Sequence, residues 1–120
     1  MEAKVSKKVE FVGDSLDRLK EFPAETQVVM GQAIREAQEG RKAMYATPLK
    51  GLGGGAATVM EIRDNYDGDT YRVMYTVKIG SKIYILHAFQ KKSKTGKETP
   101  KAEIEIIKTR LQWAKELAKE

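Results

Sequence analysis

A group of charged and aromatic residues in the second half of this sequence has the chemistry needed to bind nucleic acid. Guanidinium and ammonium groups bind phosphate oxygens, and an aromatic ring can stack on an unpaired base. Gathered at one end of a sheet, these side chains would form a cationic patch with an aromatic platform. They are Arg63, Arg72, Lys91 and Lys92, with Glu61, His87 and Phe89 near them.

The same residues allow a second interpretation, in which they form a solvated sheet face with a cross-strand pair of Glu61 and Arg72. Surface charge of this kind is common in globular proteins. His87 is the single histidine of the sequence, and a lone histidine on a half-buried strand is more often a packing residue than a catalyst. No second histidine or paired carboxylate has metal-ligand spacing, so we predict neither a metal site nor a cofactor.

The stretch from Thr70 to Lys92 is predicted to position most of these residues as a β-hairpin. Two runs rich in Val, Ile, Tyr and Phe flank Gly80-Ser81, which suits a two-residue turn that would set Arg72 opposite Phe89. Facing residues share a sheet face. The face predicted as core carries Val73, Tyr75, Val77, Tyr84, Leu86 and Ala88. The other face carries Arg72, Met74, His87 and Phe89 at its polar end and Thr76, Ile83 and Ile85 at its apolar end.

A second hairpin is predicted to bring Arg63 to the same face. Residues 58–63 have strand character, and the NYDGD segment that follows is predicted to be a longer hairpin loop. Pairing across that loop would place Arg63 opposite Thr70 and Glu61 opposite Arg72. Both arginines would then lie on the polar face.

Helices are predicted on both sides of these strands. Asp14 is a candidate N-cap for a short helix that ends before Pro23, and a second helix begins at Pro23 and stops at Gly40. Thr99-Pro100 is predicted to begin a last helix, whose apolar stripe requires a surface to cover. The stripe consists of Ile104, Ile107, Leu111, Ala114 and Ala118.

The order of these elements predicts an α+β fold. Residues 8–12 are expected to form a first strand at a sheet edge, and residues 41–57 are expected to be loop. The result would be an antiparallel sheet with an N-terminal helical hairpin on one face and a C-terminal helix on the other. The glycines at 51–55 are not followed by Lys-Ser or Lys-Thr, so we interpret that segment as a mobile loop beside a site and not as a phosphate loop.

Composition places the chain among small globular proteins. Its 120 residues predict one domain over 1–120, and the absence of cysteine excludes thiolate zinc sites and a cysteine nucleophile. We find no leader and no run long enough to span a membrane, so we expect a soluble, cytoplasmic protein without a membrane partner. The net charge of +5 mildly favours a polyanionic partner. The lysine-rich KKSKTGKETP segment is either a solvated linker or a segment that binds along a phosphate backbone.

Several motifs of the chain are similar to those of the RelE/ParE toxin superfamily, in particular its HigB-like, phage-derived branch. They are LKGLGGG, MEIR, YRVMYTV and IYILHAFQKKSKTGKETPKAEI. The resemblance implies a small RelE-like domain that acts as the toxin of a type II toxin-antitoxin system, a ribosome-dependent mRNA endonuclease that inhibits translation. It also implies the partners, which are the ribosome, mRNA and a cognate antitoxin carrying a helix-turn-helix domain.

The resemblance implies site residues as well. The lysines and arginines that match the family's basic active-site positions are Lys50, Arg63, Arg72 and Lys91. The expected catalytic residues are Arg63, Arg72, His87 and Lys91. The expected RNA-binding residues are Lys50, Phe89, Lys92, Lys94 and Lys97.

The implied reaction needs both fixed cations and a group that moves protons. In metal-free RNA cleavage the 2′-hydroxyl attacks the neighbouring phosphate, and cations stabilise the charge that gathers on the phosphoryl oxygens. His87 or Lys91 would move the protons, since an arginine does not release one. Many RelE-type relatives carry a tyrosine shortly after the last basic strand residue, whereas this sequence has none after Tyr84.

Two other functions are compatible with the same sequence. One is a non-catalytic binding module, such as a degenerate toxin that only binds its antitoxin or a phage component. The other is a gyrase inhibitor of the ParE kind. The pair of lysines at the end of the last predicted strand, Lys91 and Lys92, favours the RNA enzyme over the gyrase inhibitor by resemblance.

Overall fold

The computed structural model of the protein describes residues 6–43, 45–49, 52, 59–91 and 99–119. These residues form three helices and a five-stranded mixed sheet, which confirms the predicted α+β class. The elements in chain order are β1 (Val9–Phe11), α1 (Ser15–Lys20), α2 (Ala24–Gln38), β2 (Ala46–Pro48), β3 (Met60–Tyr66), β4 (Asp69–Thr76), β5 (Ile83–Lys91) and α3 (Lys101–Ala118).

The sheet has the strand order β1-β5-β4-β3-β2. Its edge strand β1 was correctly predicted, but β1 runs parallel to β5, so the sheet is not purely antiparallel. The expectation that residues 41–57 are all loop was wrong at β2, where Ala46 pairs with Ile62 of β3. A strand of three residues is too short to show an alternating pattern, and its pairing depends on a partner far along the chain.

The hairpin between β3 and β4 is tighter than predicted. Asp67 and Gly68 both have positive φ, 51° and 84°, which is the geometry of a two-residue type I′ turn and replaces the expected longer loop. Arg63 therefore lies opposite Arg72 and not opposite Thr70. Because this register differs from the prediction by two residues, it leaves every side chain on the predicted face.

The register between β4 and β5 was predicted correctly for half of the hairpin. Arg72 pairs with Phe89 and Met74 pairs with His87, but the register shifts between Met74 and Tyr75, which pairs with Ile85. Leu86 is therefore the extra residue of a β-bulge. The connection spans residues 77–82, not a two-residue turn.

The bulge exchanges the faces of four side chains. Tyr84 and Leu86, predicted to lie in the core under the helical hairpin, pack on the opposite side with Met74 and Ile107. The side chains that take their place under α1 and α2 are Ile83 and Ile85. One inserted residue reverses the alternation for the rest of the strand, and the hydrophobic pattern alone does not reveal it, because the residues exchanged are all large and apolar.

The sheet is covered on both faces. The helical hairpin of α1 and α2 buries one face, and α3 covers the other, as predicted from its apolar stripe. Trp113 lies on α3 outside the predicted apolar stripe and is 50% exposed. Within the described ranges, no helix is both long and apolar enough to cross a membrane.

Alanine substitutions at two glycines, Gly31 and Gly80, test the local backbone geometry of the fold. A Cβ at Gly31, in the middle of α2, meets nothing within 4 Å, so Gly31→Ala should raise the free energy of unfolding by about 0.5–1 kcal/mol by removing the backbone freedom of glycine from an exposed helix. The measurement is urea unfolding at neutral pH.

Gly80→Ala is the matched control with the opposite sign. Gly80 has φ +57° and its Cβ would lie 3.2 Å from Cβ of Ala118, so the substitution should lower the free energy of unfolding by about 1–2 kcal/mol. A loss of stability in both variants would contradict the exposed position of Gly31.

Candidate functional site

A buried carboxylate on β3 holds two arginines together on the face covered by α3. Nε of Arg63 donates to Oε1 of Glu61 at 2.9 Å, and Nη1 of Arg72 donates to its Oε2 at 3.0 Å. The two arginines lie directly opposite each other, where like charges repel, and Glu61 offsets that repulsion. The Arg72 and Glu61 side chains are each almost fully buried, whereas 38% of the Arg63 side chain is exposed. Arg63 therefore forms the accessible rim of the cluster.

Arg72 has more donors than the surrounding residues use. Its Nη1 also donates to the Thr99 hydroxyl at 3.3 Å, and its guanidinium carbon lies 6.0 Å from the centre of the Phe89 ring. Its buried Nε finds no acceptor among the residues that the structure describes. Burial lowers the pKa of Arg72 and the charge of Arg63 acts in the same direction, while Glu61 raises it. A desolvated guanidinium with an unused N–H is suited to an additional anionic acceptor.

His87 is held at both ring nitrogens by α3. Its Nε2 lies 2.6 Å from Oε1 of Glu103, and its Nδ1 lies 3.2 Å from Nη1 of Arg110. Arginine can only donate, so Nδ1 must be the acceptor and Nε2 must carry the proton that is donated to Glu103. The imidazole also stacks on Phe89, with ring centres 5.3 Å apart.

The environment keeps His87 neutral. Burial lowers its pKa most and the positive charge of Arg110 adds to that effect, while Glu103 and the more distant Asp14 oppose it. Protonation would also place a second N–H against the Arg110 donor. With 2% of the residue exposed, neither ring nitrogen reaches solvent while α3 is docked.

Arg110 connects α3 to the bulge of β5 and to the start of α1. Its Nη1 donates to the carbonyl of Leu86, the extra residue of the bulge, at 3.1 Å, and its Nη2 donates to Asp14. Asp14 precedes α1 as predicted, but it makes no side-chain capping hydrogen bond. Hydrogen bonds from Arg18 and then from Arg110 lower the pKa of the Asp14 carboxyl. The unpaired backbone of the bulge thus supplies an acceptor for α3.

The structure brings together part of the predicted site. Arg63, Arg72, His87 and Phe89 share one face, and Lys91 lies at the end of β5 opposite Thr70 on the same strand parity as Phe89. Phe89 is only 6% exposed, so the predicted aromatic platform is covered in this structure. The lysines that fall outside the described part of the chain are Lys50, Lys92, Lys94 and Lys97.

Sequence reasoning missed three polar residues that α3 and its approach bring to the site. Thr99 was interpreted as an N-cap, but Pro100 occupies that position and the Thr99 hydroxyl contacts Arg72. Glu103 and Arg110 are seven residues apart beside the apolar stripe of α3, a spacing that places them on one side of the helix. That pattern is the signal from which they could have been found.

Comparison with known proteins identifies a family for this chain. The family model described as Phage derived protein Gp49-like (DUF891) matches residues 17–112. The matched span contains Arg63, Arg72, His87, Lys91 and the first part of α3. No curated protein and no solved structure matches the chain significantly.

The neutral, buried state of His87 makes stability depend on pH. Its pKa is lower in the folded protein than the ordinary value of 6.5, so the unfolded chain binds more protons at and below that pH. The free energy of unfolding should therefore fall as pH drops below about 6.5, with a slope of at most about 1.4 kcal/mol per pH unit. Urea unfolding between pH 8 and pH 5.5 measures this slope, and no other histidine contributes to it.

The matched control is His87→Gln, which keeps an N–H donor for Glu103 and removes the titrating group. Its slope over the same pH range should be flatter than that of the wild type. A wild-type stability that increases as pH drops would mean that the Glu103 carboxylate outweighs burial and that His87 is held as a cation.

Proposed function

Because the chain belongs to the phage-derived Gp49-like protein family, we propose that it is the toxin of a type II toxin-antitoxin system and cleaves mRNA on the ribosome. The observation that carries this proposal is the buried Arg72, which Glu61 and Thr99 hold at Nη1 while Nε has no acceptor in the described part of the chain. The RelE/ParE-like motifs support the same function. The proposed partners are the ribosome, mRNA and a helix-turn-helix antitoxin, and the proposed location is the cytoplasm, where translation occurs.

The arginine cluster fits an RNA phosphodiester. The Arg63 and Arg72 guanidinium groups share the carboxylate of Glu61, and an RNA phosphodiester would supply a further negative charge. The edge of a guanidinium formed by Nε and Nη2 binds two phosphoryl oxygens at once, and this edge of Arg72 is not used by Glu61 or Thr99. Arg63 at the rim and Lys91 meet the phosphate first. It reaches Arg72 when Thr99, which precedes α3 and accepts a hydrogen bond from Nη1 of Arg72, moves aside while α3 itself stays docked.

In the proposed reaction these cations stabilise the transition state. The 2′-hydroxyl attacks the adjacent phosphorus, and negative charge builds up on the phosphoryl oxygens as the bond to the 5′-oxygen breaks. Arg63 and Arg72 are already oriented by Glu61, so they bind that charge with little reorganisation. Donors arranged in this way each contribute about 10²–10³-fold to the rate in other enzymes.

The burial of Arg72 and His87 favours one second candidate, a non-catalytic binding module. In that case the charged contacts would serve only to fix α3 on the sheet, and the chain would bind its antitoxin without cleaving RNA. The two functions differ in whether RNA is cut.

Expression without a partner protein separates these functions. We expect induction to arrest growth and to truncate mRNAs only while they are being translated, with the cuts mapped by primer extension. The control is the same transcript with its start codon removed, which should stay intact. Normal growth with intact transcripts would favour the binding module, and equal cleavage of the untranslated control would remove the ribosome from the mechanism.

Arg72→Lys tests the role of the guanidinium. Lysine keeps a positive charge next to Glu61 but lacks the planar edge that binds two oxygens, so the single-turnover cleavage rate on ribosome-bound mRNA should fall about a hundredfold. The matched control is Arg35→Lys on the exposed side of α2, which should leave the rate unchanged. Urea unfolding checks that both variants are folded. If they are, equal cleavage rates in the two variants would exclude Arg72 from the chemistry.

A further inference from the structure

Among the described residues on the sheet face that carries the site, the arginines, Glu61 and His87 are not suited to accept the proton of the 2′-hydroxyl. Arg63 and Arg72 remain protonated and cannot act as bases. Both carboxylate oxygens of Glu61 accept hydrogen bonds from these arginines, and the residue is buried. His87 is sealed from solvent with both ring nitrogens in use. A base for the reaction must therefore come from another residue.

Glu103, in the first turn of α3, has the position and the exposure that these residues lack. Its Oε1 accepts the hydrogen bond from Nε2 of His87, and 27% of its side chain is exposed. No other hydrogen bond reaches this carboxylate from the described ranges of the chain. The same end of α3 contacts Arg72 through Thr99, and the stacked rings of His87 and Phe89 continue from Glu103 to the Arg72 guanidinium. Glu103 thus lies between solvent and the cationic cluster.

We propose that Glu103 is the general base of the RNA cleavage, and that His87 is a positioning residue that holds its carboxylate. This inference rests on the proposed function. Arg110 supports this positioning. Its N–H donates to Nδ1 of His87, so the ring proton is on Nε2 and points toward Glu103. His87 anchors one oxygen of the carboxylate and leaves the other for substrate.

The proposed cleavage step transfers one proton to Glu103 and one proton from Lys91. Glu103 takes the proton of the 2′-hydroxyl while the 2′-oxygen forms a bond to phosphorus, and the bond from phosphorus to the 5′-oxygen breaks. The products are a 2′,3′-cyclic phosphate and a 5′-hydroxyl, whose proton comes from the Lys91 ammonium. Glu103 then releases its proton to water and Lys91 regains one from water, so both return to their starting states.

Glu103→Gln tests the base directly. The glutamine amide oxygen still accepts the His87 N–H, so α3 stays docked, but it cannot take a proton. We expect the single-turnover rate on ribosome-bound mRNA to fall by about 10²-fold or more. We also expect the rise of the rate with pH at the acidic end of the profile, which reports ionisation of the base, to be lost. Glu103→Asp keeps a carboxylate and should keep that rise at a lower rate.

His87→Gln separates positioning from proton transfer. Glutamine retains an N–H donor toward Glu103 but does not titrate, so this variant should keep the pH-dependent rise, at a rate lowered by the loss of the imidazole that positions the carboxylate. If His87 were itself the base, His87→Gln would lose the rise and Glu103→Gln would keep it, which would overturn the proposal.

A modified substrate distinguishes the base from the acid. When sulfur replaces the leaving 5′-oxygen at the cleaved bond, the thiolate departs without a proton donor. Lys91→Ala should therefore regain most of its lost rate on this mRNA, whereas Glu103→Gln should not, because the 2′-hydroxyl still has to lose its proton. Recovery of Glu103→Gln on the sulfur substrate would contradict the assignment of Glu103 as the base.

The wild-type protein distinguishes failure of this inference from failure of the proposed function. A wild type that does not cleave ribosome-bound mRNA refutes the endonuclease, and the role of Glu103 falls with it. A wild type that cleaves, with Glu103→Gln matching it in rate and pH profile, refutes only the role of Glu103.

Discussion

The buried ion pair between Glu61 and Arg72 constrains the rest of this structure. Removing one partner of such a pair leaves an uncompensated charge away from water and costs about 3–5 kcal/mol in other proteins. Arg72 lies in the middle of β4 and Glu61 lies near the start of the neighbouring strand β3, and each residue is only 2% exposed. The pairing of β3 with β4, the position of Arg63 and the contact of Thr99 with Arg72 must all be compatible with this pair.

A buried ion pair is weak evidence for stability, because well-packed apolar residues of similar size often stabilise a protein as much or more. Within the described ranges, Arg72 moreover has an N–H without an acceptor, which adds to the free-energy cost of burying it. Binding of a phosphate would explain this arrangement, because the anion would accept a hydrogen bond from the Arg72 N–H and add negative charge beside the two guanidinium groups. The proposed function thus accounts for a feature that packing alone does not.

The docking of α3 depends on polar contacts as well as on its apolar stripe. Its stripe covers Met74, Leu86 and Tyr84, while Arg110 binds the carbonyl that the β5 bulge exposes at Leu86. The bulge thus has two effects, because it turns Leu86 toward α3 and provides a backbone acceptor there. In the proposed enzyme the same helix covers the arginine cluster and contributes the carboxylate of Glu103. Movement of α3 would therefore alter binding and chemistry together.

The sequence by itself determined the helices, the strands other than β2 and the residues of each sheet face near the site. The periodicity of the helices, the alternation in β4 and in the part of β5 after the bulge, and the pairing of Arg72 with Phe89 were all predicted, because these are local properties of the chain. Arg63 was placed on the correct face although its partner was wrong, since a shift of two residues does not change side-chain direction.

Only the tertiary structure decided which residues of the site are buried and which residues distant in sequence contact them. The bulge at Leu86, the short strand β2 and the burial of Arg72 and His87 depend on partners distant in sequence. The hydrogen bonds from His87 to Glu103 and from Arg110 to Asp14 form because α3 docks across β5 beside the start of α1. No local sequence pattern predicts these contacts. Hydrophobic periodicity predicts that one face of a helix is buried, but not which polar side chains meet at the edge of that face.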